Sequence, residues 1–121
     1  MTKILLVEDN EFNRIMLRRR LELKRYEIIC AIDGLEAVDM TKAELPDLIL
    51  MDLSLPVKDG LTATKEIKAN ELTKHIPVIA LTAHAMDDDK NKALMAGCDE
   101  FETKPVQFKQ LLKKMDSLIK K

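Results

Sequence analysis

The chain has 121 residues, 46% hydrophobic and 34% charged, enough for one compact domain whose core needs no disulfide or structural metal. With 20 basic against 21 acidic side chains the formal charge is −1, which excludes the field that would hold a phosphate backbone or an anionic membrane nonspecifically. No apolar run approaches the ~18 residues of a bilayer span, no signal-peptide pattern follows Met1, and Cys30 and Cys98 fit no zinc or redox spacing. A cytoplasmic protein with reduced, buried thiols is expected, without nucleic acid or membrane as a direct partner.

Taken in order, Ile4-Leu5-Leu6-Val7 reads as a strand that runs into the acidic turn Glu8-Asp9-Asn10, where Asn10 suits the cap of a helix from about Glu11 to Lys24. That helix carries two apolar stripes, Leu17 with Leu21 and Phe12, Ile15, Met16 with Leu23. Its Arg18-Arg19-Arg20 run spreads around the helix and reads as solvated surface. Glu27 to Ile32 is a second strand and Asp33-Gly34 a turn; a second helix from Leu35 to Ala43 points Leu35, Ala37 and Val38 inward and stops before Pro46. Next comes Leu48-Ile49-Leu50-Met51, four apolar residues in a row, read as a central strand buried on both faces, with the carboxylate of Asp52 at its carboxyl end. Pro56 and Lys58-Asp59-Gly60 form a loop before a helix from Leu61 to Asn70, with Leu61, Thr64 and Ile67 in step. Val78 to Leu81 is another buried run and ends in the hydroxyl of Thr82. Asp87-Asp88-Asp89 stands where acidic groups favour a helix start, and Gly97 terminates that helix. Asp99 to Thr103 is a short fifth strand, Lys104-Pro105 a bend, and Phe108, Leu111, Leu112, Met115, Leu118 and Ile119 give the cleanest helical stripe in the chain.

Strict βα alternation implies an α/β fold of the flavodoxin-like kind: a doubly wound (βα)5 domain with a five-stranded parallel sheet in the order 2-1-3-4-5. That order places Glu8, Asp9 and Asp52 together at the carboxyl ends of the first and third strands, with Thr82 and Lys104 delivered to the same rim. Three carboxylates so close repel one another, and a hard divalent cation with oxygen ligands, Mg2+ first, is the simplest way to hold them. Lys104 adds a point charge able to meet Asp52 or a phosphoryl oxygen, while the hydroxyl of Thr82 and the backbone N–H of Ala83 are fixed donors. A nucleophile, a metal site and donors for equatorial oxygens are what phosphoryl transfer requires. Taken singly, each of these residues reads better as a surface charge or a turn residue; it is their convergence at the strand ends of one sheet that favours the chemistry.

These segments resemble the response-regulator receiver domains of two-component signalling over essentially the whole length, in the stand-alone, single-domain form. Glu8-Asp9-Asn10 is similar to the family's acidic metal-binding turn, Leu50 to Pro56 to its phosphoacceptor strand and Asp59-Gly60 to the loop that follows. Leu81-Thr82-Ala83 resembles its switch segment, and Lys104-Pro105 its lysine and the proline often joined to it by a cis bond. The resemblance implies that Asp52 takes a phosphoryl group from a phosphohistidine on a histidine kinase or histidine phosphotransfer protein. It also implies that Glu8 or Asp9, Asp52 and the Ser54 backbone carbonyl ligate Mg2+, and that Lys104 and Thr82 hold the phosphoryl oxygens. Phe101 matches the aromatic switch position, expected to turn inward when Thr82 moves toward the phosphate; read without the family, it is an ordinary core aromatic. The first helix of such domains commonly docks on the helical bundle that carries the phosphohistidine, which makes Phe12 and Ile15 candidate docking contacts. A phosphoacceptor switch of this kind is not an enzyme on other substrates, although it can catalyse its own phosphorylation and dephosphorylation. With the chain ending at Lys121 just after the fifth helix, no output domain is expected, and the signal passes to a downstream effector protein.

With Gly34, Gly60 and Gly97 as its only glycines, the chain contains neither a dinucleotide-binding turn nor a P-loop. The alternative is a Mg2+-dependent aspartate-nucleophile phosphatase of the haloacid-dehalogenase kind, which needs a second Asp two residues on as general acid; that position holds Ser54. His84, two residues past Thr82, reads either as a group governing water access to a phosphorylated Asp52 or as an exposed helix-start histidine.

Overall fold

The computed structural model describes residues 1–83 and 87–119. Five strands alternate with five helices: β1 (Lys3–Val7), α1 (Glu11–Glu22), β2 (Glu27–Ala31), α2 (Gly34–Glu44), β3 (Leu48–Asp52), α3 (Gly60–Ala69), β4 (Val78–Thr82), α4 (Asp87–Ala96), β5 (Glu100–Thr103) and α5 (Phe108–Ile119). All four strand pairings are parallel, in the order β2-β1-β3-β4-β5. The expected doubly wound sheet is therefore the observed one.

Central strands in a parallel sheet are covered on both faces, which is why β1, β3 and β4 read as unbroken apolar runs. Alternate side chains of each strand serve opposite faces. Leu5, Val7, Ile49, Met51, Val78 and Ala80 pack with Ala37, Val38, Ala63, Ile67 and Ala93 of α2, α3 and α4. Ile4, Leu6, Leu48, Leu50, Ile79 and Leu81 pack with Leu21, Leu111 and Met115 of α1 and α5. Of the two stripes on α1, Leu21 with the half-buried Leu17 faces the sheet, and the Phe12, Ile15, Met16, Leu23 stripe is exposed.

Two expectations change. Leu35 is exposed rather than inward, because the stripe that α2 presents to the core is Gly34, Ala37, Val38 and Thr41, spaced i, i+3, i+4 and i+7, and Leu35 falls outside it. Cys30 is only half-buried, since β2 is an edge strand; Cys98 is buried, and burial pushes its thiol up to about 11.

The two Asp-Gly pairs are more than turns. Asp33 and Asp59 cap α2 and α3, accepting hydrogen bonds from the backbone N–H groups of Glu36 and Thr62, each at 2.8 Å. The glycine after each cap sits against another backbone: a Cβ at Gly34 would overlap the carbonyl of Lys58. One at Gly60 would overlap the carbonyl oxygen of Asp52 and lie 2.8 Å from the Cα of Leu53. Helix α3 thus abuts the peptide that carries Asp52. Gly→Ala in an unobstructed helix gains roughly 0.5–1 kcal/mol. Here Gly60→Ala is expected to lose about 1–3 kcal/mol instead, because the new methyl group must displace main chain. Urea unfolding of the two proteins measures the difference, and a variant as stable as the wild type would show that the close approach is not a constraint.

Candidate functional site

Parallel pairing brings the carboxyl ends of β1, β3, β4 and β5 to one rim. Val7 is in register with Met51, Asp52 with Leu81, and Thr82 with Thr103, so Glu8, Asp52, Thr82 and Lys104 each stand at or one residue beyond the end of an adjacent strand. Glu8 and Asp52 are both only 4% exposed, and Thr82 2%. Carboxylates this deep need compensation. Lys104 supplies it: its Nζ donates to Glu8 Oε1 at 2.7 Å and to Asp52 Oδ2 at 3.0 Å. The Lys104 backbone N–H donates to the Thr82 carbonyl at 2.7 Å, which fixes β5 against β4 at the point where the lysine departs, and the Lys104-Pro105 peptide is cis.

The other oxygen of Asp52, Oδ1, accepts from the backbone N–H of Ser54 at 2.9 Å. Asp52 is thus held from both sides before any ligand is considered. Asp9 is exposed, yet one carboxylate oxygen from each of Glu8, Asp9 and Asp52 lies within 4.8 Å of the others. Three carboxylates against one ammonium leave an excess of two negative charges in this group. Burial raises the Glu8 carboxyl above its ordinary range; the Lys104 hydrogen bond pulls it back and Asp52 pushes it further up, with a net upward result. For Lys104, burial works downward, but the bonds to Glu8 and Asp52 outweigh it and the ammonium is raised.

The remaining predicted residues lie around this centre. Ala83 follows Thr82 and is exposed. Phe101 is half-buried and paired with Ala80, two residues before Thr82 on the neighbouring strand, so both belong to the face packed by α2, α3 and α4. Ser54 is exposed in the β3–α3 loop, where Lys58 N–H donates to the Pro56 carbonyl at 2.7 Å across Val57, a β-branched residue held at φ 66°. Such backbone costs about 1–3 kcal/mol and persists only where its surroundings impose it. Phe12 and Ile15 are 71% and 39% exposed on α1. Beside them, a cleft of about 520 Å3 is lined by Met16, Leu17, Arg20, Pro105 and Val106 together with Glu8 and Lys104. His84 lies outside the described residues.

Sequence reasoning missed two supports. Glu102 is buried at 4% exposure on β5, and Lys114 of α5 donates to its Oε2 at 2.9 Å and to the Phe101 carbonyl at 2.6 Å. This pair ties β5, the strand that precedes Lys104, to its covering helix. Arg14 of α1 donates from Nη1 to the Glu8 carbonyl at 2.9 Å. Both lysine and arginine reach across more than a helical turn of sequence, so no local motif signals either.

Comparison with known proteins agrees with this geometry. A family model described as the response regulator receiver domain matches residues 4–116. The polar-differentiation response regulator DivK of Brucella ovis is 42% identical over 120 residues, covering 98% of each chain. The receiver domain of the sensor histidine kinase PA1611 from Pseudomonas aeruginosa, solved with a magnesium ion coordinated in its active-site cleft, superposes with a TM-score of 0.93 at 38% identity over 99% of this chain and 98% of that one. The receiver domain of Ssk1 from Saccharomyces cerevisiae, crystallised with the histidine phosphotransfer protein Ypd1, gives 0.90 at 35% identity over 97% and 88%. With the strand order, the buried acidic rim and these relatives in agreement, the chain belongs to the response regulator receiver domain family of two-component signalling.

Proposed function

We propose that Asp52 is the phosphoacceptor, taking a phosphoryl group from a phosphohistidine on a histidine kinase or histidine phosphotransfer protein. The observation that carries this reading is a buried carboxylate gripped from both sides, by Lys104 Nζ and the Ser54 N–H, beside two further carboxylates. In the transfer, a carboxylate oxygen of Asp52 forms the new P–O bond, the P–N bond breaks, and its electron pair returns to the leaving imidazole. Lys104 moves from carboxylate oxygens to a phosphoryl oxygen, and the Thr82 hydroxyl and Ala83 N–H donate to the others. The phosphatase alternative lacks its general acid, since Ser54 stands where a second aspartate is required.

The donor set fits Mg2+: oxygen ligands only, an excess of two negative charges, and space for waters and phosphoryl oxygens on the exposed Asp9 side. Glu8, Asp9, Asp52 and the Ser54 carbonyl would hold it. Bound there, it would neutralise charge on the phosphoryl group.

Phosphorylation adds charge and acceptor oxygens beside a buried hydroxyl, and Thr82 shares a sheet face with Ala80, the partner of Phe101. A Thr82 drawn to the phosphate opens room that Phe101 can fill, which changes the surface offered to a downstream effector protein. On the other side of the rim, Phe12, Ile15 and the Met16–Val106 cleft form an apolar surface adjoining Lys104, suited to the helical bundle that presents the phosphohistidine.

Incubation with phosphorylated histidine phosphotransfer domains is expected to label the wild type and leave Asp52→Asn unlabelled. Ile15→Ala is expected to take label at least about threefold more slowly, since an apolar contact of this kind contributes on the order of 1 kcal/mol. Label persisting in Asp52→Asn would remove it as acceptor, and an unchanged or faster rate in Ile15→Ala would remove the docking role.

A second expectation follows from linkage. A carboxyl whose folded pKa is raised contributes stability that is fully present below its unfolded value, near 4.5, and is lost as pH rises through the folded value. Lys104, also raised, contributes a constant amount until far more alkaline pH. In chelator, Glu8→Gln should therefore melt at a higher temperature than the wild type at pH 7, with a smaller advantage at pH 5. Added Mg2+ should reverse the order at pH 7. An advantage independent of pH would contradict the assignment of the shift to Glu8.

A further inference from the structure

The turn that carries two of the three acids has little to hold it. Beyond the Glu8 N–H, which donates to Ala31 O at 3.1 Å, β1 makes no further strand pairing, and α1 starts at Glu11. Asn10 caps that helix by accepting from Asn13 N–H at 2.9 Å, and its own N–H donates to Glu8 Oε2 at 3.2 Å. Neither bond touches Asp9. Among the described residues the exposed Asp9 carboxylate has no hydrogen-bond donor of its own, so its direction depends on the peptides on either side of it.

Those two peptides are where Arg14 is bonded. Its Nη1 donates to the Glu8 carbonyl at 2.9 Å and, more weakly, to the Asp9 carbonyl at 3.4 Å. The first carbonyl belongs to the peptide unit before the Asp9 Cα and the second to the unit after it. Fixing both planes fixes the Cα–Cβ direction between them. Arg14 is half-buried, and no carboxylate lies within ion-pair distance of it among the described residues, so main-chain carbonyls are what its charge serves.

We propose that Arg14 is a positioning residue for the metal-binding turn: by holding the carbonyls of Glu8 and Asp9, it aims the Asp9 carboxylate toward the oxygens of Glu8 and Asp52. The inference rests on the reading that these acids hold Mg2+. It also has a sign that a purely electrostatic role would not share. A guanidinium near a cation site repels the cation, so removing it for charge reasons alone would tighten binding; removing a positioning group loosens it.

The test is a Mg2+ titration of the full chain followed by the amide NMR shifts of Glu8, Asp9 and Asn10, well below the melting temperature, for wild type, Arg14→Ala, Arg14→Lys and Asp9→Asn. Arg14→Ala is expected to raise the Kd about tenfold, the low end of what loss of a group supporting a metal ligand costs. Arg14→Lys, able to reach one carbonyl at a time, should fall between, and it also keeps the test informative if the alanine variant unfolds. A Kd in Arg14→Ala equal to or tighter than wild type, with only the melting temperature lowered, would overturn the inference and leave Arg14 a structural residue. A wild type without saturable shifts, or an Asp9→Asn variant that titrates like it, would overturn the inference by a different route, because the metal reading itself would then have failed.

Discussion

The site depends on one ammonium group that two buried carboxylates share. Glu8 and Asp52 come from the ends of adjacent strands, and each would be costly at such depth if ionised alone. Lys104 lies within 3.0 Å of both and so makes the arrangement tolerable without making it neutral. On the proposed reading, the remaining negative charge is what a divalent cation would bind. The upward displacement of Glu8 has the same origin, since a carboxyl that binds its proton more tightly in the fold is one whose charge the fold resists.

A site built this way has to be held from behind, because its own charges push it apart. The backing comes from main chain and from long cationic side chains. Gly60 lets α3 approach the Asp52 carbonyl, and the Ser54 N–H turns Oδ1 of the same residue. Lys104 N–H binds the Thr82 carbonyl, and Lys114 pins β5 through Glu102 and the Phe101 carbonyl. Each support acts on backbone or on a buried group. The carboxylate of Asp9 is the exposed part of the site.

How much of this was legible in the sequence follows from which interactions are local. Unbroken apolar runs at Ile4–Val7, Leu48–Met51 and Val78–Leu81 announce central parallel strands, and the alternation of helices between them leaves few topologies. Once the order is known, the residues at strand ends must meet, so Glu8, Asp52, Thr82 and Lys104 were placed without coordinates. Leu35 went wrong for a local reason. The core-facing stripe of α2 runs Gly34, Ala37, Val38, Thr41, built from small residues that carry less apolar signal than Leu35 on its flank. Glu102 was illegible because a charge on a short edge strand reads as outward-facing; it is buried, and its partner Lys114 lies twelve residues on. Arg14 was hidden likewise, since its partners are carbonyls, which no residue type advertises.

The same geometry sets a limit on how strongly this switch can signal. Driving a two-state equilibrium from 1:99 to 99:1 requires about 5.5 kcal/mol of differential binding. A hydrogen bond to a charged group is worth about 1.5–3 kcal/mol, so with Asp52 as acceptor the movement of Thr82 alone would leave the conversion incomplete. On the proposed reading the missing part comes from groups that touch the phosphoryl oxygens, Lys104 among them, and a Lys104 turned fully toward the phosphoryl group would leave Glu8. Such a departure would uncover a buried carboxylate whose charge the fold already resists. On the same reading a cation held by Glu8 and Asp9 would remove that obstacle, which would tie the output of the switch to the occupancy of the acidic turn and give the supports of that turn a share in the strength of the signal.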